Sequence, residues 1–257
     1  MLLIDATNLG HRLFHAPSER PLYERFGYSL TRWRKQVEPT HALAVFDGPG
    51  DGWRREAWAG YKAKRSNDPS TRPSATDWLD IRAECANAGV RAVWLPGVEA
   101  DDLIASYTAA AIKLELAVSI VSSDKDMLQL VRDEPVEVRT IDPGSGKVSG
   151  PAEVRERFGV WPHALPDLLA LAGDASDGYP GVKGIGAKTA AKLIADHGDV
   201  EQIIDRANLL PGKLRERMLE GAEMARLCRR LAVLDAGLAL PVRIESARLR
   251  MRESAWR

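Results

Sequence analysis

Short apolar runs alternate with longer amphipathic segments over roughly the first 150 residues of the chain. Segments such as Asp77–Ala88 and Asp101–Leu116 repeat apolar residues every three to four positions, which predicts helices. The pattern predicts strands at Leu2–Asp5, Ala42–Phe46, Arg91–Leu95, Ala117–Val121 and Val136–Ile141. Strands that alternate with helices indicate an α/β fold, with a mostly parallel central sheet and helices on both faces.

The strand signals stop at about Pro151, and short helices separated by Gly and Pro follow. We therefore expect an α/β core over residues 1–150, with a clamp region at about 53–85. A helical region over residues 151–257 is expected to be integral with this core.

Composition places the chain among ordinary globular proteins. Hydrophobic residues make up 45% and charged residues 28% of the chain, and the formal charges cancel. No stretch approaches the ~20 apolar residues that span a bilayer, and Asp5 interrupts the N-terminal apolar run. We expect a cytoplasmic protein without a membrane partner. Cys85 and Cys228 lack metal-ligand spacing and predict two reduced, buried thiols.

Acidic residues follow four of the predicted strands. The carboxyl ends of parallel strands share one edge of a sheet, so these side chains are expected to converge there. Such crowded carboxylates repel one another unless cations bind them, and Mg²⁺ or Mn²⁺ prefers oxygen ligands. Two cations could stabilise the attacking and leaving oxygens of a phosphodiester. The predicted ligands are Asp5, Asp47, Glu99, Asp101, Asp102, Asp124, Asp126, Asp174 and Asp177.

A glycine-rich turn leads into a predicted helix at Pro180–Ile194, PGVKGIGAKTAAKLI. Backbone N–H groups at a helix N-terminus bind anions, and Lys188 and Thr189 add a charge and a hydroxyl group. This is a helix–hairpin–helix pattern, placed at about residues 166–198, which grips a DNA backbone without reading bases. The predicted contacts are Gly184, Ile185, Gly186, Ala187, Lys188 and Thr189.

The segment Trp53–Arg65, WRREAWAGYKAKR, mixes basic and aromatic residues directly after the Asp47 strand. A solvated amphipathic helix is one interpretation. The other is a phosphate clamp beside the cations, with an aromatic ring that stacks on an unpaired base. The clamp residues would be Arg54, Tyr61, Lys62 and Arg65.

Together these motifs closely resemble the 5′-nuclease family of flap endonucleases and 5′→3′ exonucleases, from Leu2 to about Leu240. The family includes the N-terminal nuclease domain of DNA polymerase I and stand-alone exonuclease IX-type proteins. The matching segments are LLIDATNLGHRLFHA, PTHALAVFD, WRREAWAGYKAKR, GVEADD, SSDKDMLQL, LAGDASDGYPGVKGIGAKTA and CRRLAVLDAGLAL. Arg12 occupies the basic position of the first helix.

The resemblance implies a structure-specific DNA nuclease, expected to be a monomer, that acts on a 5′ flap or a 5′ single-stranded end. Asp102 would support the first cation, and the second would lie among Asp124, Asp126, Asp174 and Asp177. The loop Lys64–Ser74 and the helix after it would form an arch over the single strand. The resemblance also implies K⁺ bound by the main-chain carbonyls of Leu171, Ala172, Pro180, Val182 and Ile185.

The chain departs from the family pattern in two places: Ala6 replaces a common glycine, and the segment between His15 and Trp33 is short. Two alternatives remain. A PIN-type ribonuclease shares the acidic sheet edge but would lack the glycine hairpin. A non-catalytic or weakly active binder of branched DNA would have lost ligands, whereas Asp126, Asp174 and Asp177 are all present.

Overall fold

The computed structural model of the chain describes residues 1–64 and 68–249. Its centre is a six-stranded sheet with the spatial order β3-β2-β1-β4-β5-β6. All neighbouring strands are parallel except β5 and β6. The strands are β1 (Leu2–Asp5), β2 (Ala42–Val45), β3 (Arg91–Val93), β4 (Val118–Val121), β5 (Val138–Ile141) and β6 (Val148–Ser149).

Ten α-helices accompany the sheet in the described residues. In the core these are α1 (Ala6–His15), α2 (Leu22–Val37), α3 (Trp53–Ala57), α4 (Ala75–Asn87) and α5 (Ala100–Lys113). Beyond the sheet they are α6 (Pro151–Phe158), α7 (Leu165–Ala172), α8 (Ala187–His197), α9 (Val200–Asp205) and α10 (Gly212–Ala232). Short 3-10 helices occupy Pro69–Thr71, Lys125–Leu130, Pro162–Ala164, Ala207–Leu209 and Ile244–Ala247.

Both faces of the sheet are buried under helices. Successive side chains of a strand point to opposite faces, so each strand contributes to two apolar clusters. In β1, Leu3 belongs to the apolar cluster that contains Leu103 and Ile104 of α5. Leu2 and Ile4 belong to the cluster on the other face, with residues of α1, α2 and α4. This arrangement explains the continuous apolar run of β1. It also confirms the predicted fold class, an α/β sheet with helices on both faces.

The elements differ from the prediction mainly at their ends. Helix α4 begins earlier than predicted, because Ser74 and Asp77 form a capping box. Helix α5 ends at Lys113 rather than Leu116, and the residue Glu115 adopts a left-handed backbone with φ of 56°. The antiparallel strand β6 was not predicted, since its two residues are too short for a periodic pattern.

The basic segment after β2 is not one amphipathic helix. Helix α3 covers only Trp53–Ala57, and turns follow to Lys64. Arg65 and part of the predicted arch loop lie outside the described residues. The amphipathic-helix interpretation therefore applies to five residues only, and the remainder of the described segment has a different backbone.

The helical region packs around the glycine hairpin. Gly221 of α10 lies under Val182, and a Cβ at this glycine would be 2.6 Å from the valine Cγ1. Arg229 of α10 forms an ion pair with the buried carboxylate of Asp167 on α7, with Nε–Oδ1 at 2.6 Å. The hairpin thus packs against α10.

The strand order reverses direction at β1, which has β2 on one side and β4 on the other. Sites in open parallel sheets form at the carboxyl ends of the strands that flank such a switch point. The ends of these three strands lead into Asp5, Asp47 and Asp124, so the fold itself brings the predicted ligands to one crevice.

Candidate metal centre and nucleic-acid interface

Four of the predicted ligands line one open cleft of about 670 Å³ at the switch point: Asp5, Asp47, Asp101 and Asp124. Each comes from a different strand end or from the start of α5. The cleft is also lined by basic and polar groups, which include Arg12, Lys62, Arg72 and Thr7. The convergence predicted from the strand ends is therefore present.

Backbone and hydroxyl donors fix two of these carboxylates. Asp5 caps α1: its Oδ1 accepts the Asn8 N–H at 3.0 Å, and its Oδ2 accepts the Ser122 hydroxyl at 2.7 Å. Asp47, which follows β2, is tied to the start of α5, because its Oδ1 accepts the N–H of Ala100 at 2.8 Å. Both side chains are held before any ligand binds.

Burial and mutual repulsion oppose ionisation in this cluster. Burial raises the pKa of Asp5 to about 7 against the hydrogen bonds from Asn8 and Ser122, and the charges of Asp47 and Asp124 add to the rise. Burial also raises the pKa of Asp101 well above its ordinary value, and the charges of Asp5 and Asp124 reinforce it. Buried, mutually repelling carboxylates such as these are suited to bind divalent cations, because the positive charge would favour their ionised form.

A second cluster consists of Asp126, Asp174 and Asp177, whose nearest carboxylate oxygens all lie within 4.8 Å of one another. All three residues are buried. Asp126 Oδ1 is enclosed and has no hydrogen-bond partner among the described residues. Burial, followed by the charges of Asp124 and Asp177, raises the pKa of Asp126 well above normal. An unsatisfied buried carboxylate oxygen among two other carboxylates fits a cation ligand.

Lys125 partly neutralises the second cluster, which the sequence did not indicate. Its ammonium lies 2.6 Å from Asp174 Oδ2, and Ser176 donates its backbone N–H and its hydroxyl to Asp174 Oδ1. Burial opposes ionisation of Asp174, but these contacts outweigh it and lower the pKa of the carboxyl group. Asp124 connects the two clusters by accepting the N–H of Asp126 at 2.9 Å.

Asp102 and Arg54 form a buried ion pair beside the cleft. The Arg54 guanidinium is buried and forms a bidentate pair with Asp102 at 2.6 and 2.8 Å. Its other donors reach Glu99 and the carbonyls of Leu231 and Val233. All five N–H donors of Arg54 are therefore used inside the protein. This pair joins α3, α5 and the end of α10. Both residues line a pocket of about 260 Å³ that shares Asp47 and Lys62 with the cleft, and their predicted roles stay predictions.

Glu99, Tyr61 and Lys62 form a second inner group beside this pair. The Tyr61 hydroxyl donates to Glu99 Oε2 at 2.8 Å, and the Lys62 ammonium donates to Glu99 Oε1 at 2.6 Å. Burial opposes ionisation of Glu99, but Lys62 and then Arg54 outweigh it and lower its pKa. Tyr61 is 4% exposed, so its ring is not open to an unpaired base, contrary to the stacking interpretation.

The other aromatic residues of this segment are also engaged within the protein. Trp53 has the guanidinium groups of Arg54 and Arg230 over its ring at 4.8 and 5.1 Å. The Trp58 indole N–H donates to the carbonyl of Gly178 at 3.0 Å. Lys62 lines the cleft and remains a candidate for phosphate contact.

The predicted potassium ligands come from two chain segments that lie against each other. A Cβ on Gly181 would be 2.7 Å from the carbonyl oxygen of Leu171, and the N–H of Val182 donates to that oxygen at 2.8 Å. The carbonyl of Val182 accepts the N–H of Ile185 at 3.0 Å. Each of these two carbonyls keeps one further lone pair. Ala172 lies on one segment and Pro180 on the other, and the K⁺ site stays a prediction.

The glycine hairpin presents most of its predicted contacts to solvent. Ile185 is the exception, since its side chain is buried. Gly186 is the N-cap of α8, so the first-turn N–H groups of that helix lie at the hairpin tip. Arg217 of α10 donates to the carbonyl of Gly184 at 3.0 Å, a contact that no local pattern reveals. The exposed contacts are Gly184, Gly186, Ala187, Lys188 and Thr189.

Family comparisons agree with this architecture. Residues 1–159 match the 5′-3′ exonuclease N-terminal resolvase-like domain, and residues 160–255 match the 5′-3′ exonuclease C-terminal SAM fold. The flap endonuclease Xni of Yersinia enterocolitica is 36% identical over 251 residues, which cover 97% of this chain and 98% of that protein. The thermostable DNA polymerase I of Thermus aquaticus is 33% identical over 94% of this chain, but only 29% of that protein is covered.

Solved structures of the phage T5 enzyme show the same fold. The T5 5′-exonuclease with bound zinc has a TM-score of 0.80 at 25% identity, with coverage of 91% of this chain and 89% of that one. The T5 flap endonuclease in complex with DNA and metal ions has a TM-score of 0.76, also at 25% identity, with coverage of 91% and 88%.

No helix in the described residues is long and apolar enough to cross a membrane. The two family domains together cover residues 1–255, and the relatives that match over nearly their whole length are flap endonucleases. The chain is therefore a member of the 5′-3′ exonuclease family.

Proposed function

We propose that the protein is a structure-specific 5′→3′ DNA nuclease that cuts 5′ flaps and removes short products from 5′ single-stranded ends, with Mg²⁺ as its cation and Mn²⁺ as a possible substitute. The observation that carries this proposal is the pair of carboxylate clusters at the switch point. The clusters are joined through Asp124, and two members of the second, Asp174 and Asp177, lie on the loop that leads into the glycine hairpin.

One divalent cation would be held among Asp5, Asp47, Asp101 and Asp124, and a second among Asp126, Asp174 and Asp177. When bound, the cations supply charge that stabilises the attacking and leaving oxygens of the phosphodiester. Glu99 takes part through Lys62, whose ammonium its carboxylate holds beside the cleft. A lysine held in this way can offset the negative charge that develops on the scissile phosphate.

The hairpin would hold the duplex side of the substrate by its backbone. The first-turn N–H groups of α8 and the Lys188 ammonium are suited to phosphate oxygens, and they carry no information about base sequence. A K⁺ ion at the neighbouring carbonyls would add a positive charge to the same contact. The basic residues Arg12 and Arg72, which line the cleft, would guide the single-stranded 5′ end toward the carboxylates.

A labelled DNA duplex with a 5′ flap tests the activity directly. We expect cutting near the flap junction in Mg²⁺ and none in a metal chelator, because bound cations would activate the attacking water and stabilise the leaving oxygen. An RNA flap of the same sequence separates the DNA nuclease from a PIN-type ribonuclease. Tight flap binding without cutting at high protein concentration would instead support a non-catalytic binder.

Removal of the Lys188 ammonium should weaken DNA binding uniformly across sequences. For Lys188→Ala we expect the slope of log K against log salt to fall by about 0.9, the value of one phosphate contact. The measurement is a salt titration of flap binding in a chelator, where no cleavage occurs. Lys113→Ala is the matched control, because Lys113 lies at the end of α5 remote from the carboxylate edge. An equal slope in the two variants would contradict the hairpin contact.

A further inference from the structure

Two loops that carry site residues are fastened together by paired backbone and side-chain contacts. The Trp58 indole N–H donates to the carbonyl of Gly178 at 3.0 Å. Four residues later, the backbone N–H of Lys62 donates to the carbonyl of Asp177 at 2.8 Å. We call this pair of contacts between residues 58–62 and 177–178 the clasp.

The clasp depends on two glycines that face each other. A Cβ on Gly178 would lie 2.3 Å from the carbonyl oxygen of Gly60, and the glycine has a left-handed φ of 78°. A Cβ on Gly60 would lie 2.5 Å from the Trp58 indole nitrogen. A side chain on Gly178 would therefore force the two loops apart, and one on Gly60 would displace the Trp58 indole.

Each half of the clasp belongs to a different carboxylate group. The first loop carries Tyr61 and Lys62, which both donate to Glu99. The second carries Asp177, whose carboxylate lies with Asp126 and Asp174. The clasp is thus a short physical connection from the second carboxylate cluster to the lysine beside the first.

We propose that Trp58 is a positioning residue, and that the clasp transmits cation binding at Asp126, Asp174 and Asp177 to the placement of Lys62 and Tyr61. The inference rests on the cation sites of the proposed function. The carboxylates of Asp126, Asp174 and Asp177 would hold the cation, and their binding to it would restrain the turn between Asp174 and Gly178. That turn is closed by the N–H of Gly178, which donates to the carbonyl of Asp174 at 2.8 Å.

A fixed turn holds the carbonyls of Asp177 and Gly178 in place, and these carbonyls accept the two clasp hydrogen bonds. The ordered clasp in turn fixes the backbone of Lys62, whose φ of 52° is a left-handed conformation that the surrounding contacts must maintain. Cation binding and loop order are therefore linked in both directions, as any coupling between two sites must be.

Hydrogen exchange of the segment 58–64, followed by mass spectrometry without DNA, tests this coupling. In the wild-type protein we expect Mg²⁺ to slow exchange of these amides, and Asp126→Asn to abolish the slowing. In Trp58→Phe, exchange without Mg²⁺ should be faster by about threefold to tenfold, the factor that one lost neutral hydrogen bond contributes. Addition of Mg²⁺ should then have little effect on the segment, while calorimetry should still detect Mg²⁺ binding.

Two further variants make the result specific. Gly60→Ala keeps the Trp58 ring but displaces its indole N–H from the carbonyl of Gly178, and it should reproduce the uncoupling if loss of ring packing alone is not the cause. Trp94→Phe changes a half-exposed tryptophan outside the site and should behave as wild type. Two results would overturn the coupling alone, provided that Mg²⁺ binds. One is that Mg²⁺ slows amide exchange equally in the wild type and in Trp58→Phe. The other is that Mg²⁺ does not slow amide exchange in the wild type. No Mg²⁺ binding to the wild type would overturn the cation sites and the coupling together.

Discussion

The variant Asp101→Asn is expected to lose cleavage by at least about 100-fold, the scale on which removal of one group that supports transition-state charge acts. The amide has the shape of the carboxylate but lacks its charge, so a cation in the cleft loses a ligand. Flap binding should be retained or slightly tighter, because one negative charge near the DNA phosphates is removed. Single-turnover cleavage in Mg²⁺, with binding measured in a chelator, separates the two effects.

Asp126→Asn should lose cleavage in the same way, since its carboxylate belongs to the second cluster and has a buried oxygen without a hydrogen-bond partner in the described part of the chain. The matched control is Asp80→Asn, which changes an exposed carboxylate on α4 and should cut at the wild-type rate. If either site variant kept a substantial fraction of the wild-type rate while the control behaved normally, the affected cluster would not hold a catalytic cation.

The variant Arg54→Ala is expected to reduce the free energy of unfolding by about 3–5 kcal/mol, as loss of one partner of a buried ion pair does. Asp102 would remain buried with a negative charge, and among the described residues the N–H of Asp235 would be its remaining donor. Chemical unfolding in urea, without divalent cations, measures this loss. A phosphate-clamp residue would instead affect cleavage and leave the unfolding free energy nearly unchanged.

Arg55→Ala provides the comparison on the same helix. Its guanidinium is 54% exposed and pairs with an exposed carboxylate of Asp51, so its removal should cost no more than about 1 kcal/mol. The double variant with Arg54→Met and Asp102→Leu should recover part of the stability lost in Arg54→Ala, because no unpaired charge stays buried. Equal stability of Arg54→Ala and Arg55→Ala would refute the structural role.

The strand ends were predictable because their signal is local. An apolar run that stops at an acidic residue predicts both a buried strand and a carboxylate at the sheet edge, and β1 ends at Asp5 as predicted. The parallel arrangement then brings Asp47, Asp101 and Asp124 into the same cleft, so their proximity could be predicted without knowledge of individual side-chain contacts.

The roles of Asp101 and Asp102 could not be separated by composition alone. Successive helical residues point about 100° apart, so only one of two neighbours on α5 can face the cleft. Asp102 instead faces the buried Arg54 and accepts the backbone N–H of Asp235 at 2.9 Å. Asp102 and Ser106 are four residues apart and therefore lie on the same face of α5. The Ser106 hydroxyl donates to the carbonyl of Asp235, so this face is the one that packs against the segment after α10.

The contacts that join distant segments had no local signature. Arg54 bonds to carbonyls at the end of α10, and Arg217 bonds to the glycine hairpin. The clasp joins residues 58–62 to residues 177–178 through backbone carbonyls, which every residue possesses. Basic residues in a cluster resemble a phosphate clamp until the fold shows which of them are buried.

The second carboxylate cluster is assembled late in synthesis of the chain. Asp5 and Asp47 leave the ribosome with the first strands, whereas Asp174 and Asp177 follow only after the whole sheet. A nascent chain that has folded only its α/β core would hold Asp126 without its two partners, and its clasp would lack Gly178. Domains fold in the order in which they are made. The segment that follows the sheet thus completes the second cluster, and a chain that has not yet made this segment would not be equipped to cut the nucleic acid around it.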